Sequence, residues 1–117
     1  MSMSEITIYH NGECSKCRGA LEILQEKAVP HQVRWYLVDP LSKQELRELL
    51  GKLKMNPSEL VRRSEELYQS RFINTALSEE EWLDLLVEHP VLIQRPVVER
   101  DDKAIIARPP EKILEFI

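Results

Sequence analysis

Cys14 and Cys17 form a C-x-x-C pair, with His10 just upstream, Lys16 between the two cysteines and Arg18 directly after them. A thiol reacts as its thiolate, so the chemistry open to such a pair depends on what favours the anion. An alternating apolar run, Ile6-Thr7-Ile8-Tyr9, enters the polar turn Asn11-Gly12-Glu13 ahead of the cysteines, and an amphipathic stretch from Gly19 to Ala28 follows them. That order predicts strand, loop and helix, with Cys14 at the helix mouth. Unpaired backbone N–H groups and the positive end of the helix dipole favour a negative charge there. Glu13 opposes ionisation of the thiol, whereas Lys16 and Arg18 favour it. C-x-x-C beside a βαβ pattern is the signature of thioredoxin-like redox chemistry.

Zinc is the other chemistry open to paired cysteines, but structural zinc takes four ligands, usually as two separated pairs. His10, His31 and His89 are the histidines available, and none pairs at ligand spacing, so no metal is expected. Cys17 has a plainer reading as well. With Ala20, Leu21 and Leu24 it falls on the helical stripe that faces a core, where a cysteine behaves as a small hydrophobe. His10 at a strand end either serves as a general base or, more ordinarily, orients the loop by hydrogen bonding. Trp35, Tyr36 and Trp82 read as packing residues of the core or of a helical insert.

The elements that must position these groups follow from the rest of the chain. Val29-Pro30 ends the first helix near Ala28, and Gln32–Val38, rich in β-branched and aromatic residues, predicts a second strand stopped by Asp39-Pro40. A right-handed crossover makes the two strands parallel. Ser42 with Glu45 predicts a capping box for a helix from Lys43 to Leu50 with Gly51 as its C-cap. Asn56, Pro57 and Glu59 start another through about Arg63, and Ser78 with Glu81 starts a third over Glu79–Glu88. Short helical turns joined by loop are expected between Ser64 and Leu77. His89-Pro90 closes the helical block, and Val91-Leu92-Ile93 opens the tail. Val97–Arg100 and Lys103–Ala107 predict a hairpin around Asp101-Asp102, and Glu111–Ile117 a last short helix. The sum is an α/β, thioredoxin-like arrangement with a helical insertion between its β-α-β and β-β-α parts.

At 117 residues, 43% apolar and 31% charged, the chain is expected to form a single domain spanning 1–117. A net charge of −4 and a pI near 5.4 argue against non-specific binding of nucleic acid, which needs a basic face. No stretch has the length of a membrane span, and the first residues lack the pattern of a secretory leader. Two cysteines so close together do not make a disulfide framework. The expectation is a cytoplasmic protein with neither membrane nor direct nucleic-acid partners.

Several segments together resemble the ArsC family, the glutaredoxin-coupled arsenate reductases and their Spx-like relatives. They are Ile-Tyr-His-Asn-x-x-Cys at 8–14, Arg18, Trp35-Tyr36-Leu37, Leu60-Val61-Arg62-Arg63 with Tyr68, His89 through Val98, and Ala107-Arg108-Pro109-Pro110-Glu111. The resemblance covers nearly the whole chain. It implies that Cys14 is a nucleophile toward arsenate and that Arg62, Arg95 and Arg108 hold the oxyanion, with Asn11 in the same binding set. It also implies a cis Arg95–Pro96 bond, glutathione as reductant co-substrate with no resident cofactor, and glutaredoxin as recycling partner, in the service of arsenic detoxification. The chemistry is consistent: a tetrahedral dianion suits forked, permanently charged guanidinium donors better than it suits lysine.

Two features depart from the family pattern. Reductases of this type commonly carry a hydroxyl residue where this chain has Cys17, and many extend further at the C-terminus. The short form resembles an arsenate reductase-like branch. Cys17 is therefore a possible resolving thiol, able to give an internal disulfide recycled by thioredoxin. A Spx-like redox-sensing regulator that binds RNA polymerase is the alternative from another class, and a thiol–disulfide oxidoreductase acting on another substrate is a third.

Overall fold

The computed structural model describes residues 6–10 and 15–117. Its contacts divide the chain into two compact units, Met1–Asp39 with Arg95–Ile117, and Pro40–Gln94.

The first unit is built on a four-stranded mixed sheet in the order β2-β1-β3-β4. These strands are β1 (Ile6–His10), β2 (His31–Trp35), β3 (Val97–Arg100) and β4 (Lys103–Ile106). β1 runs parallel to β2, with His10 opposite Trp35, and antiparallel to β3, with Tyr9 opposite Val97. β3 and β4 form the expected hairpin, turned by Asp101 in the left-handed conformation (φ 55°). Helix α1 (Ser15–Glu26) is the crossover between the parallel strands. Side chains alternate across β1, so Ile6 and Ile8 share one face. They pack with Ala20 and Leu24 of α1, Val98 of β3, Ala107, and Ile113 of a terminal 3-10 segment (Pro110–Glu115). Ala20 and Leu24, half of the apolar stripe expected on this helix, are thus core residues. The terminal segment was expected as a helix over Glu111–Ile117; it begins and ends earlier and is wound more tightly.

The predicted second strand, Gln32–Val38, is cut short at Trp35. The Trp35 carbonyl accepts the Val38 and Asp39 amides at 3.0 and 2.8 Å, turning the chain, and the Arg34 guanidinium closes the turn on Asp39. Apolar composition carries on past the strand; the ladder does not.

The second unit is the helical insertion: α2 (Lys43–Leu53), α3 (Pro57–Leu60), a π turn (Tyr68–Phe72), α4 (Glu79–Glu88) and a 3-10 turn (Pro90–Leu92). Ser42 and Ser78 form full capping boxes with Glu45 and Glu81. Leu46, Leu49, Leu50, Leu60, Trp82, Leu83, Leu86 and Leu92 are buried. Two helix ends differ from expectation. α2 runs through Gly51 to Leu53 and is closed by Lys54 in the left-handed conformation (φ 57°), with the Met55 amide bonded back to the Leu50 carbonyl at 3.1 Å. α3 stops at Leu60 rather than near Arg63, because Val61 is extended and pairs with Ile93. Backbone pairing with a distant segment displaces the next helical turn.

Candidate functional site

β1 ends at His10 and α1 starts at Ser15, so Asn11 and Cys14 belong to the connection between a strand end and a helix start. Both lie outside the described residues, and for Cys17 only the helical backbone is described. The antiparallel register brings the start of β3 and the end of β4 to the same end of the sheet as His10, and the parallel register brings Trp35 there. Open α/β sheets place ligand sites outside the carboxyl ends of their parallel strands.

His10 is buried, 5% exposed, and its ring lies 4.8 Å from that of Trp35, its register partner. Burial pushes the imidazole below its ordinary pKa of 6.5, and the Arg18 guanidinium adds to the shift. Burial disfavours any charge on the ring and Arg18 disfavours a second positive one, so both effects favour the neutral imidazole. Trp35, expected as a packing residue, is 47% exposed: it covers His10 from an edge strand and gives the rest of its surface to solvent. Tyr36 and Trp82 are buried as expected.

Arg95 is 9% exposed and enters a cis bond to Pro96, as the resemblance implied; Arg108–Pro109 is cis as well. The two segments are joined by the Ala107 amide, which donates to the Pro96 carbonyl at 2.9 Å. Each arginine is therefore one residue from that bond, and Arg95 is two residues from Val97, opposite Tyr9. A guanidinium stays charged at any ordinary pH, and burying it calls for an anion or acceptors around it.

Arg62 belongs to the other unit. Its amide donates to the Leu92 carbonyl at 2.6 Å, while the Gln94 amide donates to the Leu60 carbonyl at 2.9 Å and the Gln94 side chain to the Glu59 carbonyl at 2.7 Å. Arg62 is thus fastened to the Leu92–Gln94 stretch of its own unit. Its Nη1 donates to Glu65 Oε2 at 3.1 Å. The neighbouring Arg63 is used differently: Nη1 donates to the Tyr68 hydroxyl at 2.6 Å and the guanidinium sits 5.4 Å from that ring. Arg63 is a packing residue, tied to the start of the π turn. The structure brings His10, Arg95 and Arg108 to one sheet end within one unit and anchors Arg62 in the other. Glu65 and the Trp35 cover on His10 were missed by the sequence reading; the acid three residues after Arg62 was the available signal for Glu65.

Among the described residues, no group of three or more His, Cys, Asp or Glu side chains could hold a metal ion, and no helix is long and apolar enough to cross a membrane.

The chain matches the ArsC family model over residues 9–116. It is 42% identical over 115 residues to the uncharacterized protein YfgD of Escherichia coli (strain K12), covering 97% of each chain. Identity to an arsenate reductase of Haemophilus influenzae is 39% over 114 residues, covering 96% of this chain and 98% of that one. The fold superposes on the solved arsenate reductase of Vibrio cholerae with a TM-score of 0.91 at 36% identity, covering 99% of this chain and all of the other. With this thioredoxin-like fold and these matches, the chain belongs to the ArsC family.

Proposed function

We propose that the protein reduces arsenate, or a closely related oxyanion, through Cys14. Arg62, Arg95 and Arg108 hold the oxyanion, with Asn11 and the amides at the helix start as further donors. The Cys14 thiolate attacks arsenic and an arsenate oxygen leaves as water after taking up protons, giving a thiol ester of As(V). A second thiolate then attacks Cys14 Sγ. The S–As bond breaks with its electron pair going to arsenic, which leaves as arsenite, and a disulfide remains on Cys14. The second thiol is glutathione, with glutaredoxin reducing the mixed disulfide, or Cys17, with thioredoxin reducing the internal one. The positive field also favours the thiolate before substrate arrives. His10, packed under Trp35 with its neutral form favoured by burial, orients the connection that carries Asn11 and Cys14. The reaction is placed in the cytoplasm, where such thiols stay reduced.

What carries this reading is the pairing of Arg95 with Arg108: a buried guanidinium and a second arginine, joined through Ala107 N–H to Pro96 O, at the sheet end next to the β1–α1 connection. Two permanently charged forks carried by linked segments near a helix start suit a tetrahedral dianion.

Turnover of arsenate with glutathione and glutaredoxin is expected, and Cys14→Ser is expected to abolish it. Absence of turnover with both the glutathione and the thioredoxin systems would discard the arsenate assignment. Intact mass of the oxidised protein separates the two second steps: loss of two hydrogens marks the Cys14–Cys17 disulfide, and a glutathione adduct on Cys14 marks the other route.

A further inference from the structure

The geometry points to Glu65 as the positioning residue of the oxyanion site, acting through Arg62. The inference rests on Arg62 belonging to the oxyanion set of the proposed reaction. A guanidinium offers a side-on edge, Nε with Nη2, that matches two oxygens of a tetrahedral anion. Glu65 takes Nη1, the nitrogen that is not on that edge, at 3.1 Å. Arg62 Nε is buried and has no hydrogen-bond partner among the described residues. A buried donor left in that condition calls for an acceptor, and a bound oxyanion supplies one.

The backbone fixes both ends of the pair. The Arg62 amide is held by Leu92, the Glu65 amide donates to the Arg62 carbonyl at 3.1 Å, and the Gln69 amide donates to the Glu65 carbonyl at 3.1 Å. This closes a turn that lays the carboxylate against its own i−3 arginine. Both side chains are largely shielded, at 23% and 22% exposure, so the contact is less screened than a surface pair. Arg63 cannot replace Arg62 in this role, since it is engaged with Tyr68. Glu65 touches no substrate; it leaves the guanidinium able to present Nε rather than rotate freely.

The test is steady-state kinetics on the full chain, joined to NMR of the arginine Nε–H groups titrated with inorganic sulfate, an unreactive tetrahedral dianion. Glu65→Ala is expected to raise KM for arsenate about tenfold while changing kcat less than about twofold, the scale of one charge-assisted hydrogen bond. Glu65→Gln keeps an acceptor for Nη1 and is expected to restore most of the KM. In an Arg62→Ala background, Glu65→Ala is expected to add almost nothing, since there is no guanidinium left to aim. Sulfate is expected to shift the Arg62 Nε–H signal, and to need about tenfold more sulfate in Glu65→Ala. An unchanged KM in Glu65→Ala, an equal loss without Arg62, or an Arg62 signal that ignores sulfate would each overturn the inference. If arsenate is not turned over at all but sulfate moves the Arg62 signal in a Glu65-dependent way, the assigned reaction falls and the role of Glu65 stands.

Discussion

His10 shows what burial does to a single titratable ring. Desolvation is the larger cause of its lowered pKa and the Arg18 charge the smaller. An NMR titration is therefore expected to place its midpoint below 6.5, and Arg18→Ala to move that midpoint up without bringing it back to 6.5. A midpoint above 6.5 in the native protein would show that a nearby anion governs the ring instead. The same scale separates Arg62 from Arg63. Two adjacent, chemically identical side chains differ because one meets an acid three residues on and the other meets Tyr68. The sequence marks both arginines; only the partners distinguish them.

Among the elements, the glycines make opposite predictions. Gly51 lies inside α2, and a Cβ there would meet nothing within 4 Å. Gly51→Ala is expected to stabilise the protein by about 0.5–1 kcal/mol, the ordinary entropic gain in a helix interior. Gly19 lies inside α1, where a Cβ would come within 3.0 Å of Pro110 Cγ and 3.3 Å of its Cβ. A proline ring has little room to yield, so Gly19→Ala is expected to fall short of Gly51→Ala by more than about 1 kcal/mol in denaturant unfolding. Equal gains at the two sites would mean that the helix and the terminal segment are not packed closely at this point. Gly51 also shows a limit of local reading. Glycine after an apolar run is a stop signal, yet the chain spends its left-handed residue at Lys54 and carries the helix past Gly51.

At the scale of the whole molecule, protonation links the site to acid stability. A native pKa below the unfolded one means that the unfolded chain takes up the proton first. For His10, stability is therefore unaffected above the unfolded value of about 6.5 and falls as the pH drops below it. Glu79, Glu80 and Glu81 have lowered pKa values as well: Glu79 through Ser58, Glu80 through Lys43 and Arg47, Glu81 through Ser78. Their contribution is present above the ordinary carboxylate value near 4.5 and is lost as the pH falls through the lowered ones. Lys43 shifts upward through Asp84 and Glu80, and its contribution fades only as the pH rises past 10.5 toward the raised value. Denaturation against pH is expected to show two descending steps on the acid side. His10→Gln is expected to remove the first and leave the second. A first step that survives this substitution would assign it to another group.

Much of this protein was legible from local chemistry. A capping box is written within four residues, so Ser42 with Glu45 and Ser78 with Glu81 set two helix starts before any fold is known. Alternation in Ile6–Tyr9 and the Asp101-Asp102 turn likewise set β1 and the β3–β4 hairpin, and the family resemblance supplied the arginine set. Tertiary structure decided what depends on residues far apart in the chain. Val61 abandons the helix because Ile93 is there to pair with it, Trp35 becomes a cover because β2 is an edge strand, and the segments that carry Arg95 and Arg108 are joined by the backbone bond between Ala107 and Pro96. Such contacts leave no local pattern, since each partner looks ordinary until the fold supplies the other.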